Sequence, residues 1–301
     1  MDNLDKIQFL DLPSEYTNYT SSKYVLQQLP YEYTSSYKQG SYLGPKAILK
    51  ASHYVELYDE ETKNEAYIQG IATLKALDFT NKINQAALEL IYENTDRILK
   101  NNKFVISLAA EHTATYPIVK AFASKFKDFS VLQIDAHADL RDEYYDSSNK
   151  LNKYSHACVM HRIHDINIPI IQAGIRALSK EEDKLIETSN NIDTFYGYDI
   201  SASENSWIDE LVKCIKTDKV YITIDADGLD PSIAPGVGTP EPDGLSFKQV
   251  TSLLKAVAKN KNIIGFDVVE CAPIEGSIIT EYTLAKVIYR LINYIEKYNN
   301  K

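Results

Sequence analysis

Acidic and histidine side chains follow four apolar segments of the sequence, and these are the side-chain types that bind divalent cations. The first segment runs into His112, and the second runs into Asp-Ala-His-Ala-Asp at 135–139. The third ends in Asp-Ala-Asp at 225–227, and the last ends in Asp267 and Glu270. Carboxylates brought together in this way would repel one another and lose hydration, and divalent cations remove that cost. We therefore expect a metal site.

The spacing of these residues sharpens the expectation. Side chains at alternate positions of an extended strand face the same side, so Asp135, His137 and Asp139 can converge where a strand relaxes into a loop. Asp225 and Asp227 have the same alternate spacing. Mixed carboxylate and imidazole ligands suit borderline-hard ions such as Mn²⁺, and the oxygen donors suffice for two ions that share aspartates and activate water. A lone Asp-x-Asp pair has simpler uses in turns, but this combination favours a binuclear site.

Short apolar runs alternate with helical patterns along most of the chain. The runs that predict strands are 103–110, 129–137, 169–175, 194–200, 220–227 and 263–270. The patterns that predict helices are 82–99, 113–126, 155–165, 179–188, 204–217, 246–258 and 281–298, with another helix that starts at Pro45. Nearly continuous apolar strands separated by helices are typical of a three-layer α/β/α fold with a doubly wound, mostly parallel sheet. Ligands of such a sheet bind at the carboxyl ends of its strands.

The composition is that of an ordinary globular protein and excludes some partners. The 301 residues include 42 acidic and 32 basic side chains, which gives a formal charge of −10. This balance argues against nucleic acid, because binding phosphates needs a surplus of Lys and Arg. No apolar run is long enough to span a membrane, and the first residues lack the pattern of a secretory signal. The three cysteines are far apart, so we expect no disulfide framework and a cytoplasmic location.

The chain shows no linker, repeat or low-complexity tract. We therefore expect a single domain over residues 1–301, with residues 1–39 as an N-terminal extension that packs on it. A turn at Gly40 to Gly44 precedes the helix that starts at Pro45, where the missing N–H of proline costs no hydrogen bond.

The motifs around the acidic residues resemble those of the ureohydrolases, the family that includes arginase, agmatinase, guanidinobutyrase and formimidoylglutamase. The resemblance runs from about Gly40 to the C-terminal helix, which is most of the chain. The segments that carry it are GSYLGPKAIL (40–49), AAEHT (109–113), IDAHADLRD (134–142), SHACVMHRI (155–163), IDADGLDPSIAPGVGTPEPDGLS (224–246) and FDVVECAP (266–273). Their number and order imply an arginase-like fold.

The resemblance also implies a binuclear centre with two Mn²⁺ ions per chain. All six of the family's ligand positions are occupied by matching histidines and aspartates. The ligands of the first ion would be His112, Asp135, Asp139 and Asp225. The ligands of the second would be His137, Asp135, Asp225 and Asp227, with Asp135 and Asp225 bridging.

Further residues receive catalytic and substrate-binding roles from the same resemblance. Glu270 would pair with the substrate guanidinium, a planar fork that suits a carboxylate. His156 would contact the substrate and exchange protons with solvent, and Asp139 or its neighbour would relay a proton to the leaving amine. Thr239 stands where a hydroxyl beside the site is expected, and it completes the substrate-binding set.

Features near the first ligand leave alternatives open. The family usually has two glycines before the acid–histidine pair, and this chain has Ala109 and Ala110. Alanine is strained there if either position needs a positive φ, and its methyl group is accommodated if the glycines only allow close packing.

Three other residues near the motifs also have more than one possible role. Glu111 either orients an imidazole or is an acid favoured at a helix start. Cys158 and Cys271 are expected to act as small buried hydrophobes.

The segment after residue 139 differs from the arginase loop that reads the amino-acid end of arginine, and it looks more like that of agmatinases. Its acids, Asp142, Glu143 and Asp146, would suit a doubly cationic substrate. We therefore expect hydrolysis of agmatine to urea and putrescine, a step of polyamine biosynthesis. The alternatives are guanidinobutyrate, arginine or guanidine as substrate, or a non-catalytic regulatory homologue that binds a metal or an amine. Family members are commonly trimers or hexamers, so a homo-oligomer is expected.

Overall fold

A parallel sheet forms the centre of the fold. The computed structural model describes residues 3–203 and 206–299. The strands of this part are β1 (Tyr24–Leu29), β2 (Ile71–Thr73), β3 (Phe104–Ala109), β4 (Ser130–Ile134), β5 (Tyr144–Tyr145), β6 (Leu151–Asn152), β7 (Ile170–Ile175), β8 (Ile192–Tyr196), β9 (Lys219–Asp225) and β10 (Asn262–Val269). All of them belong to one sheet except β5 and β6, which pair as a small antiparallel hairpin.

The order of strands in the sheet is β2-β1-β3-β10-β9-β4-β7-β8. Every neighbouring pair is parallel, so all eight carboxyl ends lie at the same edge. This confirms the mostly parallel sheet that the apolar runs predict. It also makes β3, β10, β9 and β4 consecutive neighbours, and these are the four strands that precede the acidic and histidine residues.

Helices cover both faces of the sheet and enclose two apolar cores. They are α1 (Gly44–Ser52), α2 (Gln85–Lys100), α3 (Thr115–Lys125), α4 (Val159–Asp165), α5 (Lys180–Thr188), α6 (Gly197–Ala202), α7 (Ser206–Cys214), α8 (Phe247–Asn260) and α9 (Ile279–Tyr298). One core contains side chains of α1 and α6 to α9, and the other contains side chains of α2 to α5. Along β4, Leu132 and Ile134 enter the first core and Val131 enters the second, as alternation in a strand requires. The three-layer α/β/α architecture is thereby confirmed.

No helix within the two described ranges combines the length and the apolar character needed to cross a membrane.

The N-terminal segment contributes to the interior of the sheet. Strand β1 pairs with both β2 and β3, so this part of the segment 1–39, which was expected to pack on the domain as an extension, lies within the sheet. The sequence YVLQQL did not indicate a buried strand because it carries Gln27 and Gln28. Both are buried, and Nε2 of Gln27 donates to hydroxyls of Thr95 and Ser107 at 2.9 Å each. One sheet that includes strands from residue 24 to residue 269 supports the hypothesis of a single domain.

Several predicted boundaries differ from the structure. The strand predicted over 194–200 ends at Tyr196, and Gly197–Ala202 form α6 instead. Tyr196 pairs with Ile175, the last residue of β7, so the chain beyond it has no strand to pair with. The helix predicted over 204–217 corresponds to α7, Ser206–Cys214. Residues 204 and 205 of the predicted range lie outside the described part.

Candidate metal centre

Four neighbouring strand ends bring the candidate ligands together. Strand β3 leads through a short loop to His112, and β4 leads to residues 135–139. Strand β9 ends at Asp225 and is followed by a single 3-10 turn that contains Asp227. Oδ1 of Asp225 accepts the backbone N–H of Asp227 at 3.0 Å, which holds this turn in place. Two acids therefore stand at one strand end in a fixed relative position.

The imidazole of His112 faces three carboxylates. Its Nδ1 lies 3.0 Å from Oδ2 of Asp135, 3.1 Å from Oδ2 of Asp139 and 3.2 Å from Oδ2 of Asp225. The side chain is buried, and within the described residues no hydrogen bond of good geometry reaches this nitrogen. A buried nitrogen aimed at three carboxylate oxygens is the arrangement expected of ligands gathered around a cation. The donor set therefore fits the implied metal.

A second group of ligands lies beside the first and shares a member with it. Nδ1 of His137 is 3.2 Å from Oδ2 of Asp227 and 3.7 Å from Oδ1 of Asp135. His112, Asp135 and Asp139 form one cluster whose candidate ligand atoms lie within 4.8 Å of one another, and Asp135, His137 and Asp227 form the other. The shared Asp135 presents one oxygen to each histidine. The structure thus brings together all six residues that the sequence predicts as ligands.

The negative charge of this cluster shifts the pKa values of its histidines and of Asp139. Burial opposes the charged imidazole of His137, but Asp227 and Asp135 outweigh it and raise its pKa to about 12. The pKa of His112 is also raised well above its usual range, because three carboxylates outweigh its burial. Burial and the neighbouring Asp135 raise the pKa of Asp139 to about 7. Protons on the histidines thus balance part of the negative charge, and divalent cations could replace them.

The far side of His112 is held by a threonine and a buried carboxylate. Nε2 of His112 lies 2.9 Å from Oγ1 of Thr223, and that hydroxyl donates to Oδ1 of Asp267 at 2.5 Å. Asp267 also accepts the hydroxyls of Tyr221 at 2.6 Å and Thr115 at 3.0 Å. Such a chain fixes the ring so that Nδ1 points to the cluster. Thr223 could have been recognised in the sequence, because it is a polar residue two positions before Asp225 in an apolar strand.

Glu270 closes the same pocket from the end of β10. Its Oε1 accepts the backbone N–H of His112 at 2.8 Å, and its own N–H donates to the carbonyl of Ala110 at 2.8 Å. The residue has a φ of 61°, and Asp139 has a φ of 54°. Non-glycine residues in this region are uncommon, and they are often found at functional sites. Burial, followed by the charge of Glu111, raises the pKa of Glu270 well above its usual range.

His156 and Thr239 line the same pocket on its outer side. His156 begins a 3-10 turn, His156–Cys158, that leads into α4, and burial lowers its pKa to about 4. The imidazole is therefore neutral near pH 7. The hydroxyl of Thr239 donates to Oδ2 of Asp227 at 3.4 Å, a long contact. Beyond these residues the pocket opens into a cleft of about 370 Å³ that also contains Tyr144 and Glu241.

An arginine holds the loop that carries Thr239. The guanidinium of Arg176 donates to the carbonyls of Asp227 at 2.6 Å, Glu241 at 2.9 Å and Pro242 at 2.8 Å. A planar group with several donors can bind several carbonyls at once. Nothing in the spacing of the sequence distinguished this residue, because its partners are backbone atoms of a distant loop.

The two alanines in place of glycines cause no backbone strain. Ala109 and Ala110 are buried, and neither has a positive φ. Glu111 precedes the helical turn His112–Ala114, and its side chain makes no capping hydrogen bond to that turn. Cys158 and Cys271 are buried free thiols, as expected of small hydrophobes.

The N-terminal segment supplies a wall of the pocket that the sequence did not predict. Residues Ser35 to Lys38 line it together with the candidate ligands. Their only sequence signal is a short run of polar residues, YTSSYK, which is also typical of ordinary loops. An α/β fold that presents two overlapping His/Asp clusters at the carboxyl edge of a parallel sheet defines a candidate metal-dependent enzyme.

Comparisons with known proteins define the family. The model of the arginase family matches residues 22–293, and the chain belongs to this family of ureohydrolases. It is 36% identical over 293 residues to the N(1)-aminopropylagmatine ureohydrolase of Synechocystis sp., covering 95% of this chain and 93% of that protein. It is 33% identical over 265 residues to an agmatinase of Bacillus cereus, covering 85% and 86%. The crystal structure of the agmatine ureohydrolase of Thermoplasma volcanium superposes with a TM-score of 0.81 at 29% identity, covering 97% and 95%.

Proposed function

We propose that this protein hydrolyses the guanidinium group of agmatine to urea and putrescine at a binuclear Mn²⁺ centre. The observation that carries the proposal is the pair of His/Asp clusters that share Asp135, with the carboxylate of Glu270 in the same pocket. A guanidino substrate is consistent with the arginase family. The agmatinases among the relatives support agmatine in particular.

We assign the ligands as the resemblance implies. The first ion would be bound by His112, Asp135, Asp139 and Asp225, and the second by His137, Asp135, Asp225 and Asp227. Mn²⁺ is supported by the mixture of carboxylate and imidazole donors. Two such ions would lower the pKa of water so that a hydroxide nucleophile is available near neutral pH to attack the guanidinium carbon.

The protein's own side chains would bind the substrate and move its protons. Glu270 would accept hydrogen bonds from the guanidinium and orient its carbon toward the ligand cluster. His156, whose ring is neutral near pH 7, would exchange protons with solvent. Asp139 would pass a proton to the leaving amine, and Thr239 would help to position the substrate beside Asp227.

A longer substrate is the second candidate. Three of the relatives are N(1)-aminopropylagmatine ureohydrolases at 34–36% identity, slightly above the agmatinases at 30–33%. The cleft outside His156 could receive the distal amines of either compound, and the carboxylate of Glu241 at its side would attract them. The products of the longer compound would be urea and the corresponding triamine.

A substrate panel tests the proposal. Protein reconstituted with Mn²⁺ is assayed for urea release from agmatine, N(1)-aminopropylagmatine, arginine, 4-guanidinobutyrate and guanidine. We expect the highest kcat/KM with agmatine. A higher value with the aminopropyl compound would move the assignment to the second candidate, and hydrolysis of arginine alone would refute both. Absence of urea from every compound, despite full metal loading, would support the non-catalytic alternative.

We further propose that the protein is a cytoplasmic homo-oligomer, a trimer or a hexamer. The free thiols of Cys158, Cys214 and Cys271 support a reducing compartment. Support for the assembly comes only from the family resemblance. Light scattering coupled to size-exclusion chromatography would measure its mass, and a monomer would contradict it.

A further inference from the structure

Glu111 is a buried carboxylate with an unusually complete set of donors. Its Oε1 accepts the backbone N–H groups of three consecutive residues, Tyr33, Thr34 and Ser35, the last at 3.2 Å. Its Oε2 accepts the hydroxyls of Thr34 at 2.7 Å and Thr113 at 3.1 Å. The side chain is fully buried. Five donors from two parts of the chain thus converge on one carboxylate, which ties the N-terminal loop to the end of β3.

The hydroxyl of Thr34 continues this network to His156. Its Oγ1 lies 3.1 Å from Nδ1 of His156 and accepts the backbone N–H of the same histidine at 3.1 Å. A threonine hydroxyl has a single proton, and its shortest contact is the one to Glu111. The hydrogen-bond network therefore assigns the proton between Thr34 and His156 to Nδ1. Nε2 is then left as the unprotonated nitrogen of a ring that lines the pocket.

The loop that Glu111 binds is also closed at its base. The carboxylate of Glu32 accepts the backbone N–H of Gly40 at 2.9 Å and the hydroxyl of Ser35 at 3.0 Å. Nζ of Lys38 donates to the carbonyl of Ala272 at 3.2 Å. The residues between these anchors, 35–38, are the ones that line the pocket. A loop held at three points can present a fixed wall to a ligand.

We propose that Glu111 and Thr34 are positioning residues of the active site. Glu111 anchors residues 33–35 over the ligand cluster, and Thr34 holds His156 with Nε2 toward the substrate. This inference rests on the proposed function, because it concerns the histidine that we assign to proton transfer. It gives the N-terminal segment a role in catalysis without direct contact between Glu111 and the substrate.

The kinetic test replaces the hydroxyl of Thr34. Thr34→Val keeps the side-chain shape and removes the link, so we expect kcat to fall about tenfold or more with KM little changed. Thr34→Ser keeps a hydroxyl and should recover most of the loss. Ser155→Ala is the matched control, because Oγ of Ser155 is the rival neighbour of Nδ1 at 3.3 Å. An equal loss in Ser155→Ala, or no recovery by serine, would overturn the role of Thr34.

A spectroscopic test does not require turnover. The ¹⁵N shifts of histidine-labelled full-length protein, recorded without metal and assigned with His156→Asn, report the tautomer of His156. We expect the form with hydrogen on Nδ1 in the unmodified protein and in Thr34→Ser, and a mixture of tautomers in Thr34→Val. Hydrogen on Nε2 in the unmodified protein would overturn the proposed orientation.

Hydrogen exchange tests the anchoring of the loop. In Glu111→Gln, the amide group presents fewer acceptor sites to the donors, so we expect the peptide that covers residues 33–35 to exchange at least about tenfold faster. Thr34→Val retains the backbone bonds to Glu111 and should show slow exchange there. Unchanged exchange in Glu111→Gln would refute the anchor. If no guanidino compound is hydrolysed, the proposed function fails, while the exchange and tautomer measurements still decide the positioning roles.

Discussion

Two histidines at the candidate site, His112 and His156, are held by the same kind of contact in two different regions. Each imidazole contacts a threonine hydroxyl, and each hydroxyl contacts a buried carboxylate. For His112 the threonine is Thr223 and the carboxylate is Asp267, both within neighbouring strands of the sheet. We call this group the floor of the site. Its members are fixed by the register of the sheet, and the ring that they orient faces the metal ligands.

The equivalent group for His156 is Thr34 and Glu111, which we call the roof of the site. Here the threonine lies on a loop, and that loop is held through backbone N–H groups. We therefore expect the floor and the roof to have separate functions. The floor sets the position of metal ligands and should control metal affinity, whereas the roof sets the position of a proton-transferring group and should control turnover.

The largest effect is expected from Asp135, the ligand that the two His/Asp clusters share. Asp135→Asn removes a charge between His112 and His137, so neither cluster keeps its full ligand set. We expect loss of stoichiometric Mn²⁺ and a fall in kcat/KM of at least about a thousandfold, which corresponds to about 4 kcal/mol. Elemental analysis and the urea assay measure these. Asp78→Asn, on an exposed loop, is the control and should keep both ions. A fully active Asp135→Asn protein would refute the binuclear site.

The pH dependence of metal binding distinguishes the metal-binding histidines, His112 and His137, from His156. Without metal, the pKa of His112 is raised well above its usual range and that of His137 is raised to about 12, so both rings carry protons near pH 7. Metal binding must release those protons. A fall in pH favours the protonated, metal-free form, so Mn²⁺ affinity should fall by up to about tenfold per pH unit for each ring.

Calorimetry in buffers of different ionisation enthalpy measures the number of protons released. His156→Asn is the comparison, because burial lowers the pKa of His156 to about 4 and its ring is already neutral. That variant should release as many protons as the unmodified protein. Binding without proton release in either protein would contradict the charge balance described for the cluster of metal ligands.

The two threonines provide the most direct comparison of floor and roof. Thr223→Val should weaken Mn²⁺ binding by about 10–100-fold, the usual consequence of removing a group that orients a ligand. Asp267 would keep the hydroxyls of Tyr221 and Thr115, so the fold should tolerate the change. Thr34→Val should leave Mn²⁺ affinity unchanged. Competition with a fluorescent chelator measures the Mn²⁺ affinity of both variants. Similar losses of affinity in the two would contradict separate functions for the floor and the roof.

The sequence predicted the metal ligands better than the roof for a physical reason. Acids and histidines at strand ends are unusual, and a parallel sheet brings strand ends together, so His112 and Asp135 could be placed from local patterns alone. Thr34 and His156 are 122 residues apart, and the link between them is an ordinary hydroxyl. Strand β1 was missed for a similar reason, because the partners that satisfy Gln27 come from α2 and β3. Local sequence does not reveal such distant partners.

The smallest effect is expected at the junction between floor and roof, where Ala110 precedes Glu111. Its N–H donates to the carbonyl of Leu29 at 3.0 Å, and its φ is not positive. Ala110→Gly restores the residue usual in the family, yet it removes a buried methyl group and adds freedom to the unfolded chain. We expect the free energy of unfolding to fall by about 1 to 2 kcal/mol, measured by urea denaturation of the metal-free protein. Higher stability in the glycine variant would reveal strain at this alanine and would reopen the question of how His112 is placed.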